Sequence, residues 1–262
     1  MTKPATPSRH AAVRADPRMH ARRASVARRR RHRRLYAFTA FVVLIGCGVG
    51  GMYLVHSSWF SARHIEVIGE DHTSAAAVIA MTDLSSHPPL VDVNTAADDA
   101  AIERLPWVLR ADVSRDWPDT VHIKITERIA IADIPLADHS FALIDEYGRV
   151  LAKVGVLPSD VVTLEDAGRV PSPGSYLASR AEGIVAAANA LPIALLDRVT
   201  SIGANATDGI VVHLAHGPLV IVSSSADLHQ KMVSLATVLA RTQLAGIVTI
   251  DLRVPSSPVL TR

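Results

Sequence analysis

Cysteine occurs once in the 262 residues, at Cys47. One thiol excludes an intrachain disulfide and a cysteine-built metal site. Aromatic residues make up only 4% of the chain, so any core must be aliphatic, and Val, Ile, Leu and Ala are plentiful enough to build one. Catalytic signatures are missing as well. There is no G-x-S-x-G, no phosphate loop, no H-E-x-x-H and no dinucleotide fingerprint. His213 and His216 flank a strand end, where residues three apart point to opposite faces. Asp145 and Glu146 are adjacent in a turn and read as a solvated pair. Asp98 and Asp99 fall at a helix N-terminus, where the dipole favours carboxylates. Ser223-Ser224-Ser225 reads as a polar turn before a helix. No catalytic, cofactor-binding or metal-ligating residue is therefore expected, and the chain is not read as an enzyme.

Acidic residues are almost absent from the first 34 positions, which carry 12 Lys and Arg against Asp16 alone. The rest of the chain reverses the balance to a net −9, so the basic pI belongs to the arm. A short, charged, core-less arm is expected to be disordered, to hold topology and to touch anionic lipid headgroups. No nucleic-acid partner is expected.

Charge of either sign is absent from Leu35 to Val55, LYAFTAFVVLIGCGVGGMYLV. A helix of that length reaches roughly 32 Å, the thickness of a bilayer's hydrocarbon core. The run is too long for a typical signal-peptide h-region, and no A-x-A pattern follows Val55. It reads as an uncleaved anchor. The run Arg28-Arg29-Arg30-Arg31-His32-Arg33-Arg34 before it places the N-terminus in the cytoplasm and everything after Val55 outside. Gly46 and Gly50 have the spacing that lets two membrane helices approach closely.

About 200 residues follow. His64 to Ile68 alternates as a strand. Thr73 or Ser74 caps a helix bearing Ala76, Val78 and Ile79, and Asn94 or Thr95 caps a second that runs to Pro106. His87-Pro88-Pro89 separates them. Val108 to Arg115 and Val121 to Thr126 alternate around an Asp116-Trp117-Pro118-Asp119 turn. The order β-α-α-β-β predicts a hairpin with both helices on one face.

This arrangement, directly after an anchor, resembles a POTRA domain. Leu105-Pro106-Trp107-Val108, Val113-Ser114-Arg115-Asp116-Trp117-Pro118 and Ile125-Thr126-Glu127-Arg128 resemble, in order, the L-P-W-V, R-x-W-P and E-R segments of the FtsQ/DivIB cell-division family. Leu143-Ile144-Asp145-Glu146-Tyr147-Gly148 is similar to the family's L-I-D-x-x-G segment, Lys231 matches a usual lysine, and Ile250-Asp251-Leu252-Arg253-Val254-Pro255 resembles its last strand. Read on residues alone, Pro106 stops a helix, Trp107 plugs a core and Trp117-Pro118 shapes a hairpin. Further strands are expected at Val161–Leu164, Val199–Ile202, Ile210–Leu214, Leu219–Val222 and Ile247–Val254. Helices are expected around Leu177–Leu191 and Leu228–Leu239.

The expected class is α+β. The expected order is a basic tail (1–34), one membrane helix (35–55), a POTRA domain (59–130) and a mixed domain (131–262) ending in an edge-type strand. The resemblance implies a divisome scaffold in the cytoplasmic membrane, concentrated at the septum. It implies bridging of early and late division components and binding of FtsB- and FtsL-like small bitopic proteins, besides other divisome membrane proteins. The residues it implies for docking are Asp251, Leu252, Arg253, Val254 and Ser256, with Arg253 able to fork to a partner carboxylate. The alternative is a POTRA-type chaperone or transport module, which handles extended clients by strand addition.

Overall fold

The computed structural model describes residues 17–205, 209–223, 225–241 and 244–262. Helix α1 runs Pro17–Val55. Within it Arg33–Val55 is long and apolar enough to cross a membrane. The helix starts at Pro17, so the basic residues from there to Arg34 continue it, where composition alone predicts a disordered arm. Ala and Arg are good helix formers, and extending a helix that the apolar stretch has already nucleated costs little. The first 16 residues of that arm lie outside the described residues, as do residues 206–208 between two of the expected strands. The chain divides after Phe60, and Ser61–Arg262 forms a unit of its own.

That second unit opens with β1 (His64–Ile68), α2 (Ala75–Ala80), α3 (Thr95–Ile102), β2 (Val108–Asp116) and β3 (Thr120–Glu127). β3 is central. β1 pairs with it in parallel, and β2 in the expected antiparallel hairpin. Val121, Ile123 and Ile125 turn inward beneath Val78, Leu84 and Ile102, and all six are buried. The caps are Ser74 and Asn94, whose side-chain oxygens accept the N–H of Ala77 and Ala97, each at 3.2 Å. Satisfying an otherwise orphaned N–H is what fixes a helix start there.

The chain continues into nine strands, β4 (Ala130–Pro135), β5 (Phe141–Asp145), β6 (Val150–Val154), β7 (Val162–Leu164), β8 (Val199–Asn205), β9 (Gly209–Leu214), β10 (Leu219–Ser223), β11 (Thr249–Asp251) and β12 (Val259–Thr261). Their order across the sheet is β12-β11-β10-β9-β8-β7-β4-β5-β6. Helices α4 (Glu182–Asn189) and α5 (Leu228–Arg241) share one core with it, built on Ile144, Ile184, Ile202, Met232, Leu235 and Ile250. Lys231 is buried in α5, and its Nζ donates to the Val222 carbonyl at 3.0 Å, tying the helix to the end of β10.

Candidate partner-docking edge

β11 has neighbours on both sides. β10 pairs with it in parallel, Leu219 opposite Thr249 and Ile221 opposite Asp251. β12 pairs antiparallel, Asp251 opposite Val259 and Thr249 opposite Thr261. Among the described residues the edge strand at this end of the sheet is therefore β12, and not the Ile247–Val254 segment that the sequence reading puts there. An inner strand has its backbone groups taken on both sides, so it cannot accept an added strand.

The five residues expected to dock separate accordingly. Leu252 is fully buried, and its N–H donates to the Ile221 carbonyl at 2.8 Å. Asp251 accepts the Arg253 N–H at 2.9 Å and lies 3.7 Å from Arg253 Nε, which turns the chain out of β11. Val254 and Ser256 are exposed on the loop that returns as β12. Around the open edge, Val248, Val254, Val259 and Leu260 are 65%, 55%, 58% and 40% exposed. An unpaired backbone flanked by apolar side chains can take an extended segment, with main-chain bonds giving affinity and side-chain pockets giving selectivity.

Far across the sheet, two arginines fasten the first module to the second. Asp145 is buried and accepts Arg128 Nη1 at 2.6 Å on one oxygen. Its other oxygen takes the N–H of Tyr147 at 2.9 Å and of Arg149 at 2.7 Å. Arg128 Nε also donates to the Val108 carbonyl at 3.0 Å. Arg149 Nη2 reaches back to the carbonyls of Glu103, Arg104 and Leu105 at 3.3, 2.9 and 3.2 Å. These carbonyls follow the C-terminus of α3, where the dipole favours a cation. Asp145 is thus the buried hub of this clamp, and not the solvated turn residue that its neighbour Glu146 suggests.

Trp107 does not fill the core. It is half-buried, and its ring stacks on His72 at 3.9 Å between centroids and 7° between planes. Glu127 Oε1 accepts the N–H of Asp71 and Thr73 at 3.1 and 2.8 Å, and its Oε2 accepts the His72 N–H at 2.9 Å and lies 3.1 Å from His72 Nδ1. Burial pushes the Glu127 carboxyl up, but those bonds outweigh it and hold the pKa down to about 2. His213 Nε2 lies 3.8 Å from a Glu165 oxygen.

Comparison with known families settles the lineage. The POTRA domain, FtsQ-type, matches residues 60–128, and the Cell division protein FtsQ/DivIB C-terminal domain matches residues 136–253. The two follow in order along one chain. The chain belongs to the FtsQ/DivIB family. Among its relatives is Cell division protein FtsQ of Streptomyces bingchenggensis, 29% identical over 242 residues, 90% of each chain. FtsQ of Streptomyces coelicolor is 35% identical over 127 residues, 48% of this chain and 47% of that one. FtsQ of Zymomonas mobilis is 29% identical over 208 residues, 78% of this chain and 62% of that one.

Membership of the FtsQ/DivIB family assigns the chain a role in cell division, acting with other divisome proteins. FtsQ proteins are membrane division proteins, and among the described residues Arg33–Val55 of α1 is the stretch long and apolar enough to cross a bilayer. The C-terminal family match stops at Arg253, so β12 lies beyond it. The sequence reading missed β12 because three residues between Pro258 and the terminus carry no alternation to read. The clamp had a faint signal, an acid and an arginine four apart around a Gly148 turn.

Proposed function

We propose that this FtsQ/DivIB protein is a non-catalytic scaffold that bridges early and late division components at the septum. It does so by pairing β12 with an extended segment of small bitopic partners of the FtsB and FtsL kind. The observation that supports this reading is the open β12 edge with its exposed valines and leucine. A free edge of this kind is otherwise a liability that proteins cover or charge. Val254, Val259 and Leu260 carry the apolar part of the contact. Arg253 and Ser256 flank it, and Asp251 holds the turn that presents it. Leu252 contributes through the core alone. The arginine-rich start of α1 orients the chain with its N-terminus in the cytoplasm, so the docking edge faces outward.

The test is complementation. In cells depleted of the native protein, a fluorescent fusion carrying Val254→Asp and Val259→Asp is expected to reach midcell but to lose the FtsB-like partner and divide poorly. The parent fusion is expected to form midcell bands and restore division. An even membrane halo for a functional parent fusion at every stage of the cycle contradicts the divisome reading and returns the transport module to consideration. Full partner capture by the double variant contradicts the β12 assignment.

A further inference from the structure

A groove of about 290 Å³ opens where the first module meets the nine-stranded sheet. Its apolar wall is Trp107, Ile129, Leu143, Pro158 and Val161. Its polar lining is Asp71, Glu127 and Asp160, with His72 and the guanidinium of Arg128. Arg128 is engaged inward by Asp145, and both side chains are nearly buried. Asp71 lies 3.7 Å from the His72 ring nitrogen, and with Arg128 already neutralised by Asp145 the three lining carboxylates leave the groove net acidic.

Two features set this groove apart from an incidental crevice. Its walls are held: Trp107 is stacked on His72, His72 is bonded to Glu127, and Glu127 is fixed by three backbone N–H groups. A fixed wall loses little freedom when a ligand binds. Its wall also exposes a large aliphatic group. Ile129, between β3 and β4, is 77% exposed. An exposed aliphatic side chain beside an apolar concavity is surface that a partner side chain can cover.

We infer that this groove is a second protein-docking site, which takes one large apolar side chain of an extended partner segment carrying lysine or arginine beside it. The apolar wall receives the side chain, and Asp71 and Asp160 read the adjacent cation. β7 lies five strands from β12 in the sheet order, on the order of 24 Å at the usual strand spacing. The two sites are thus far enough apart to be filled together, which is what a bridge requires. The inference stands on the groove alone and does not depend on β12 being the first docking edge.

The test uses the full chain in nanodiscs of neutral phosphatidylcholine and fluorescein-labelled peptides read by anisotropy. The probes are Lys-Lys-Phe-Lys-Lys, the same flanks around Ser, and Phe flanked by Gly. Burying the phenyl group predicts at least about tenfold tighter binding of the first probe than of the Ser probe. The Gly-flanked probe is expected to bind more weakly than the first as well. Ile129→Ser and Asp160→Asn are each expected to weaken the first probe severalfold, and Val259→Asp to leave it unchanged. Ile129 is exposed, so Ile129→Ser is expected to keep the parent's thermal melt. Equal binding of the Phe and Ser probes overturns the inference, as does indifference to Ile129→Ser. A dimer in sedimentation that Ile129→Ser disperses overturns it too, because a second copy would then be the occupant.

Discussion

Glu127 commits both carboxylate oxygens to the loop between β1 and α2, and its pKa sits at about 2 instead of 4.5. A depressed carboxylate contributes stability that is fully present above its unfolded pKa and is lost as pH falls through the folded one. The window is therefore about pH 4.5 down to about 2. Glu127→Gln removes the charge from those bonds and is expected to cost about 2 kcal/mol at neutral pH, a fall of roughly 5 °C in Tm for a domain of this size. The deficit is expected to shrink as pH approaches 2. An unchanged pH profile in thermal melts would argue against this role. Asp133 gives the opposite sign. It is fully buried in β4, burial raises its pKa, and the Thr163 hydroxyl, donating at 2.9 Å, only partly offsets this. Its Oδ1 has no hydrogen-bond partner among the described residues. A raised carboxyl favours the fold below its unfolded pKa and loses that contribution as pH rises through the folded value. Asp133→Asn is thus expected to melt higher than the parent near pH 8, with the gain fading toward pH 4. The E-R pair was legible at 127–128 as a family word. That its two residues work in opposite directions, one on the β1–α2 loop and one on Asp145, was not, because neither partner is near in sequence.

Among the elements, the first module was legible almost throughout. Alternation at Val121, Ile123 and Ile125 fixed the buried face of β3, and Ser74 and Asn94 were among the caps proposed. Short elements held by neighbours were not legible. β4 hides in Arg128 to Pro135, where Ala130, Ala132 and Asp133 give no clean period, and its pairing with β5 and β7 makes it a strand. β12 exists because β11 is there to pair with it. The expected final strand was correspondingly too long, running to Val254 where the Asp251–Arg253 contact ends β11. At this scale Val259→Asp separates docking from folding. The side chain is exposed, so stability is expected to change by less than about 0.5 kcal/mol. Capture of an FtsB-like partner is expected to fall about tenfold or more, since a charge placed in an apolar contact leaves a desolvated carboxylate without a mate. Co-purification beside a thermal melt checks both halves. A large drop in Tm would mean that β12 holds the sheet instead of presenting it.

Across the whole of Ser61–Arg262, the clamp of Arg128, Asp145 and Arg149 makes two sequence modules into one unit. Buried pairs are costly to break from one side, because the remaining charge is stranded. Asp145→Ala is expected to cost about 3 to 5 kcal/mol and to broaden the distance distribution between spin labels on the two modules. Arg149→Met, which keeps bulk but releases the carbonyls of Glu103, Arg104 and Leu105, is expected to broaden it with a smaller loss of stability. A narrow, parent-like distribution in both variants would show that packing alone sets the geometry. The most direct test of the account as a whole is hydrogen exchange over Ile247–Arg262 in the full chain, with and without its cognate FtsB-like protein. Docking on the open edge predicts new protection confined to the Val259–Thr261 strand, with β11 already protected in the free protein. Unchanged exchange at β12 in a complex that has formed would place the contact elsewhere and contradict the edge-docking mechanism.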